Sequence, residues 1–101
     1  MDQRLIKAVD GTTLYYEVSG PTDSLGPTAV LCDGIGCDGF VWRDLEPWLS
    51  GWCKVIHMHY RGHGCSGRSV RQDGYRIEVL VEDLETVLLH EGCTDVVLLG
   101  H

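Results

Sequence analysis

The sequence is poor in basic residues. Eight lysines and arginines stand against fifteen aspartates and glutamates, so the net charge at pH 7 is −7. A nucleic-acid-binding protein needs a basic face, and an acidic surface disfavours anionic lipid. The sequence also lacks an apolar run of membrane-spanning length and a secretory signal near its first residue. We therefore expect no nucleic-acid partner, no membrane partner and a cytoplasmic location.

The sequence also lacks the cysteine spacing of a disulfide or zinc framework. Its five cysteines are odd in number and scattered, and none of them forms a Cys-x-x-Cys pair. Such usage is typical of a reducing compartment. Cys32 and Cys37, together with His57, His59 and His63, raise a zinc site as an alternative, but the tight spacing of zinc ligand pairs is missing. We expect no metal and no cofactor.

What is present is an alternation of strands and helices. Residues 4–18 predict an antiparallel hairpin with a type I′ turn at Asp10-Gly11. Short apolar runs predict strands buried on both faces at Thr28–Cys32, Lys54–Met58 and Asp95–Leu99. Helical periodicity separates these runs over residues 41–49 and 77–88. The sequence therefore predicts one α/β domain over residues 1–101, in which the hairpin precedes βαβαβ units of a parallel sheet.

Details of the two helices follow from single residues. Pro47 must kink the first helix or lie in its first turn, because it has no N–H to donate. In the second helix the stripe from Ile77 to Leu88 predicts the buried face, whereas Asp83 and its acidic neighbours predict the solvent face. Gly92 follows as the predicted C-cap.

A glycine-rich loop follows the first predicted parallel strand. Residues 34–39 match the Gly-x-Gly-x-x-Gly pattern of dinucleotide-binding domains. That pattern expects an acidic residue about 20 positions further on, at the tip of the next strand. This strand ends instead in His57-Met58-His59-Tyr60. A dinucleotide-binding oxidoreductase domain stays open as an alternative function.

A second interpretation covers more of the chain. In their order and intervals, four segments resemble the first third of the α/β-hydrolase superfamily. The segments are Asp33-Gly34-Ile35-Gly36, Phe40-Val41-Trp42-Arg43 with Pro47, Arg61-Gly62-His63-Gly64-Cys65-Ser66 and Val97-Leu98-Leu99-Gly100-His101. The resemblance implies the first part of a truncated α/β-hydrolase fold and a small-molecule substrate.

The resemblance also implies which chemistry to expect. Gly100 would begin the nucleophile elbow, so the nucleophile is expected just after His101 and no catalytic residue is expected within the chain itself. A serine there would imply hydrolysis of ester or related carbonyl bonds. An aspartate would imply an alkyl-enzyme, as in epoxide hydrolases and haloalkane dehalogenases. A non-catalytic binding module is the alternative from another class.

Within the chain, the resemblance implies an oxyanion hole at the first loop. The donor would be the backbone N–H of Ile35, flanked by Gly34 and Gly36. Two positions depart from the family pattern: Asp33 stands where the family has histidine, and His59 stands where it has an acid. Since the strands ending at these residues would be neighbours, we expect Asp33 and His59 to form a hydrogen bond that holds the oxyanion turn.

Overall fold

The computed structural model describes residues 1–22, 26–37 and 39–101. Within these ranges five strands form one sheet: β1 (Asp2–Lys7), β2 (Thr13–Ser19), β3 (Thr28–Cys32), β4 (Val55–His59) and β5 (Val96–Gly100). Two helices accompany them, α1 (Leu45–Leu49) and α2 (Ile77–His90), and a short 3-10 turn (Phe40–Trp42) precedes α1. None of the described helices is both long enough and apolar enough to cross a membrane.

The sheet has the strand order β1-β2-β4-β3-β5. Strands β1 and β2 pair antiparallel, and β2 also pairs antiparallel with β4. Strand β3 lies between β4 and β5 and is parallel to both. The predicted hairpin followed by parallel βαβαβ units is therefore confirmed. The parallel pairing brings the ends of β3, β4 and β5, with the loops that follow them, to one edge of the sheet.

The core lies on both faces of this sheet, as buried parallel strands require. On the face covered by α2, the buried cluster contains Leu14, Tyr16, Val18, Val30, Ile56, Met58 and Val87. On the other face, covered by α1 and the 3-10 turn, it contains Ala29, Leu31, Trp42, Leu49, Cys53 and Val55. Strands β3 and β4, each buried at four consecutive residues, therefore have a helical layer to pack against on either side.

The turn between β1 and β2 differs from the predicted one. Gly11 N–H donates to Ala8 O at 2.9 Å, and Ala8 N–H donates to Thr12 O at 2.8 Å. Gly11 has φ +93°, and within the described residues every positive φ belongs to a glycine. Because a type I′ turn needs positive φ at both central residues, the predicted turn is wrong. The loop is instead a turn through Val9 and Asp10 followed by a glycine bulge.

Helix ends agree with the predictions made from proline and glycine. Pro47 lies in the first turn of α1, where its missing N–H removes no bond within the helix. Helix α2 ends in a Schellman motif, with Cys93 N–H bonded to Leu88 O at 3.0 Å and Gly92 N–H bonded to Leu89 O at 3.1 Å. Gly92 adopts φ +68°, which the motif requires. The predicted C-cap is confirmed.

The buried face of α2 is rotated relative to the prediction. Asp83, predicted on the solvent face, is only 2% exposed. Ile77 and Val81, predicted in the buried stripe, are 66% and 47% exposed. The physical reason is an ion pair, because Asp83 turns inward to meet a buried guanidinium, that of Arg61. The apolar residues displaced from the core instead line a cavity at the edge of the sheet.

Candidate active site

A cavity of about 280 Å³ opens at the carboxyl edge of the parallel strands. Its polar side consists of the loop that follows β3 and the end of β5. Its lining residues are Cys32, Asp33, Gly34, Ile35, Tyr60 and His101, together with Ile77, Leu80, Val81 and Leu84 of α2. The structure therefore brings together three of the predicted site residues, Asp33, Gly34 and Ile35, beside the last residue of the chain.

The loop after β3 packs directly on the end of β5. His101 N–H donates to Cys32 O at 3.2 Å, which extends the β3–β5 pairing beyond Gly100. A β-carbon on Gly34 would lie 3.1 Å from His101 Nδ1 and 3.3 Å from His101 O. Such contacts are tighter than most packing contacts, so a residue larger than glycine at position 34 would require His101 or the loop to shift by a few tenths of an ångström.

The predicted oxyanion residues form a tight turn. Cys37 N–H donates to Gly34 O at 3.0 Å, with Ile35 and Gly36 at the centre of the turn, and Gly36 has φ +83°. Gly36 N–H donates to His63 Nε2 at 3.0 Å. No residue in the described part of the chain accepts a hydrogen bond from Ile35 N–H. The amide of Ile35, a residue that lines the cavity, therefore has no partner among the described residues.

Asp33 is 6% exposed, and both of its side-chain partners are buried as well. Trp42 Nε1–H donates to its Oδ1 at 2.7 Å, and His57 Nε2 lies 2.9 Å from the same oxygen. The predicted partner, His59, accepts a hydrogen bond from Cys65 N–H at its Nδ1, at 2.9 Å. The two histidines lie two residues apart on one face of β4, and Asp33 pairs with the earlier one. The prediction is thus corrected from His59 to His57.

His57 is held from both sides. Its Nδ1 lies 3.5 Å from Glu17 Oε1, on the strand paired with β4. A β-carbon on Gly39 would lie 2.3 Å from His57 Cε1, and Gly39 has φ +92°, so only glycine fits above the ring. Sequence reasoning missed Trp42 and His57 as partners of Asp33. The available signal was the indole N–H of a buried tryptophan, which usually has an acceptor.

The loop after β4 is tied to the core through Arg61. This side chain is 1% exposed and makes a two-pronged contact with Asp83, at 2.7 Å and 2.8 Å, and a further one with Asp10 at 2.8 Å. Hydrogen bonds to Asp83 and Asp10 raise the pKa of Arg61. Ser66 Oγ donates to the backbone oxygen of His59 at 2.6 Å. The loop after β4 is therefore a structural turn, and Ser66 is used for main-chain support.

Comparison with known proteins identifies the family. Residues 27–101 match the model of the alpha/beta hydrolase fold. The chain belongs to the α/β-hydrolase fold family. The match covers the glycine turn, the Arg61 loop and β5, which are the elements that build the cavity. The predicted fold class and the resemblance on which it rested are confirmed.

Several curated proteins and solved structures are similar to most of this chain. It is 35% identical over 83 residues to the magnesium-chelatase 30 kDa subunit of Rhodobacter capsulatus, covering 82% of this chain and 28% of that protein. It is 34% identical over 92 residues to epoxide hydrolase B of Mycobacterium tuberculosis, covering 90% and 26%. A solved hydrolase from Pseudomonas aeruginosa PA01 superposes with a TM-score of 0.85 at 25% identity, covering 98% of this chain and 36% of that one. The chain thus spans about a quarter of the length of these curated relatives.

The alternative of a dinucleotide site does not fit this α/β-hydrolase loop. The dinucleotide fingerprint needs a helix that starts within the glycines and points its amino terminus at a pyrophosphate. Here residues 34–37 form a turn, and α1 begins only at Leu45. Asp38, which belongs to the matched pattern, lies outside the described residues. Gly34 packs on the end of β5, Gly36 forms the turn, and Gly39 leaves room for the His57 ring.

One group of side chains has the composition of a metal site. Candidate ligand atoms of Glu17, His57 and His59 lie within 4.8 Å of one another. His59 Nδ1, however, accepts the Cys65 N–H, so a metal on Nε2 would force a proton onto Nδ1 and break that bond. His57 could offer only its Nδ1, which lies 3.5 Å from Glu17 Oε1, because its Nε2 is bonded to Asp33, so without His59 only two ligands remain. The residues do not fit a metal in this arrangement.

The buried Arg61 cluster predicts a specific acid response. In the folded protein, hydrogen bonding to Arg61 lowers the pKa of Asp10 below its ordinary value of 3.8. The stability that Asp10 gains from Arg61 is therefore fully present above pH 3.8. It is lost as the pH falls below that value and through the lower pKa that Asp10 has in the folded protein. We expect Asp10→Asn to reduce the free energy of unfolding at neutral pH and to converge with the wild type in strong acid. Urea unfolding from pH about 6 to about 2 checks this; a pH-independent difference would contradict it.

Proposed function

We propose that the whole protein is a hydrolase of small molecules, with its nucleophile at the residue that follows His101. The observation that carries this proposal is the amide of Ile35, which has no partner among the described residues and belongs to a residue that lines the cavity beside the end of β5. Gly34 and Gly36 permit the turn that presents it. A fixed backbone donor of this kind stabilises negative charge that develops on a carbonyl oxygen.

The position of β5 supports the place of the nucleophile. In α/β hydrolases the nucleophile follows a central strand, at a sharp Gly-x-nucleophile-x-Gly turn into a helix. Gly100 and His101 supply the first two positions of that turn, and His101 is held against Cys32 O. A side chain at the next position would come from the same edge of the sheet as the Ile35 amide.

Two nucleophiles are compatible with this geometry. An aspartate would open an epoxide and form an enzyme-bound ester, whereas a serine would attack an ester carbonyl and form an acyl-enzyme. In both chemistries water then adds to a carbonyl carbon, and charge develops on the oxygen that the Ile35 N–H would face. The 34% identity to an epoxide hydrolase favours the aspartate and an epoxide substrate. Ester hydrolysis, which the sequence alone put first, is the second candidate.

A single turnover in water labelled with ¹⁸O distinguishes the two candidates in the full-length protein. With excess enzyme, an aspartate nucleophile donates its own oxygen, so the first diol is unlabelled and the label remains in the enzyme. A serine nucleophile leaves the label in the first acid product. We expect the epoxide pattern with an aryl epoxide, and no turnover when the residue after His101 is replaced by alanine.

The same preparation tests the proposal as a whole. Absence of hydrolysis with both epoxide and aryl-ester panels, in a folded full-length protein, would overturn it. Specific binding of NAD or NADP in an equilibrium titration would favour the dinucleotide alternative. Specific binding of a small molecule without any turnover would favour a non-catalytic binding module.

A further inference from the structure

His63 contacts the proposed oxyanion turn from the neighbouring loop. Its Nε2 lies 3.0 Å from the Gly36 nitrogen, and its Nδ1 lies 3.0 Å from the Arg61 backbone oxygen. A carbonyl oxygen only accepts hydrogen bonds, so the proton of the ring lies on Nδ1. Nε2 then carries the lone pair that accepts the Gly36 N–H. The two contacts select one neutral tautomer of His63.

The residues that contact His63 are themselves fixed in place. The Arg61 side chain is buried and bonded to Asp83 and Asp10, so the carbonyl that His63 contacts belongs to an anchored residue. His63 N–H donates to Tyr60 O at 2.9 Å, and the Tyr60 ring lies edge-on to the imidazole at 6.0 Å. The His63 ring is thus oriented by contacts that do not involve Gly36.

We propose that His63 is a positioning residue, which binds the Gly36 amide and thereby holds the Ile35 N–H towards the reacting carbonyl. This inference rests on the proposed function. Gly36 and Ile35 carry adjacent N–H groups in one turn, and a glycine at positive φ has many conformations open to it. With the Gly36 amide bound to His63, the turn has one orientation and the neighbouring Ile35 amide is the one left to the substrate.

The substitution His63→Leu removes the acceptor and keeps a side chain of moderate size. We expect kcat of the full-length protein to fall by about 10-fold to 100-fold, less than the 100-fold to 1,000-fold typical when an oxyanion donor itself is lost. We expect KM to change less than about twofold, because the donor acts on charge that appears only in the transition state. His63→Gln should restore most of the activity, since its side-chain oxygen can accept the Gly36 N–H.

A matched control is His90→Leu. His90 lies at the carboxyl end of α2 and contacts Tyr16 Oη, away from the turn, so its loss reports only the general cost of removing a histidine. A direct readout without turnover is the ¹⁵N–¹⁵N coupling across the Gly36 N–H to His63 Nε2 hydrogen bond. We expect this coupling in the wild type and not in His63→Leu.

Each outcome bears on the inference. A folded wild-type protein that lacks the coupling would overturn it, whatever the activity. A His63→Leu variant with wild-type kcat would also overturn it, while leaving the proposed hydrolase function intact. A protein that shows the coupling but hydrolyses neither substrate panel would overturn the proposed function and the catalytic role of His63 together. A fall in kcat at constant KM, restored by glutamine, supports the inference.

Discussion

Replacing Arg61 with methionine is expected to lower the free energy of unfolding by about 3–5 kcal/mol. The Arg61 and Asp83 side chains face each other, and each is only 2% exposed. Methionine fills part of the volume but leaves the Asp83 carboxylate buried without its partner, and an unpaired buried charge is strongly unfavourable. Urea unfolding of the full-length protein measures the loss in unfolding free energy, provided that its dependence on urea concentration has the same slope in the variant and the wild type.

Two further variants test whether the loss in stability comes from the burial of the charges or from the ion pair alone. Arg71 makes a similar two-pronged contact with Asp73, at 2.7 Å and 2.9 Å, but both side chains are more than 40% exposed. Arg71→Met should therefore leave the unfolding midpoint almost unchanged. The double variant Arg61→Met with Asp83→Leu should recover much of the loss, because it removes the fully buried Asp83 charge and leaves only Asp10, which is partly exposed, without the guanidinium. Equal effects at Arg61 and Arg71 would contradict the assignment.

Replacing Asp33 with alanine is expected to lower the free energy of unfolding by about 2–5 kcal/mol. The change leaves two buried donors, Trp42 Nε1–H and the His57 ring, without their acceptor. Each unsatisfied buried group costs about 1–3 kcal/mol. The loop that carries Ile35 begins at this residue, so we also expect kcat to fall in the full-length protein. Thermal unfolding and steady-state kinetics check the two effects.

The control for this prediction is Asp33→Asn. Trp42 and His57 both approach Oδ1, and the asparagine oxygen can occupy that position. Only the second contact of His57, at 3.0 Å to Oδ2, would then face the asparagine NH2 group and be lost. We therefore expect the asparagine variant to retain more than half of the stability that alanine loses. Asp44, whose side chain is 96% exposed, provides a surface reference when replaced by alanine. If asparagine proves as destabilising as alanine, the carboxylate charge is more important than the two hydrogen bonds.

Much of the fold could be predicted because its signals are local. Strand β3 has the predicted bounds, and β4 and β5 each begin and end one residue later than predicted. A continuous apolar run suits an element buried on both faces, and β3 and β4 are buried in this way. The predicted burial of β5 is wrong for the described residues, because β5 is an edge strand with Val97 and Leu98 more than half exposed. The Schellman motif at Gly92 is equally local, since it depends on residues within one helical turn.

The polar partners could not be predicted in the same way. The type of the hairpin turn, the placement of Asp83 on α2 and the partner of Asp33 were each wrong in the sequence-based prediction. Asp10 and Asp83 both meet Arg61, which is 51 and 22 residues away in the chain. Asp33 meets His57, which is 24 residues away. No local pattern in the sequence records contacts at such separations.

By itself, then, the sequence determined the order of the elements, the edge of the sheet where its glycine loops meet, and the residues of the glycine turn at positions 34–37. The tertiary structure alone decided which ionisable group each buried side chain contacts. The physical reason is that apolar burial depends on the periodicity of one segment, whereas a buried hydrogen bond or ion pair requires two groups from distant segments within about 3 Å. The register of β3 on β4, the small size of Gly39 and the depth of Arg61 set those distances.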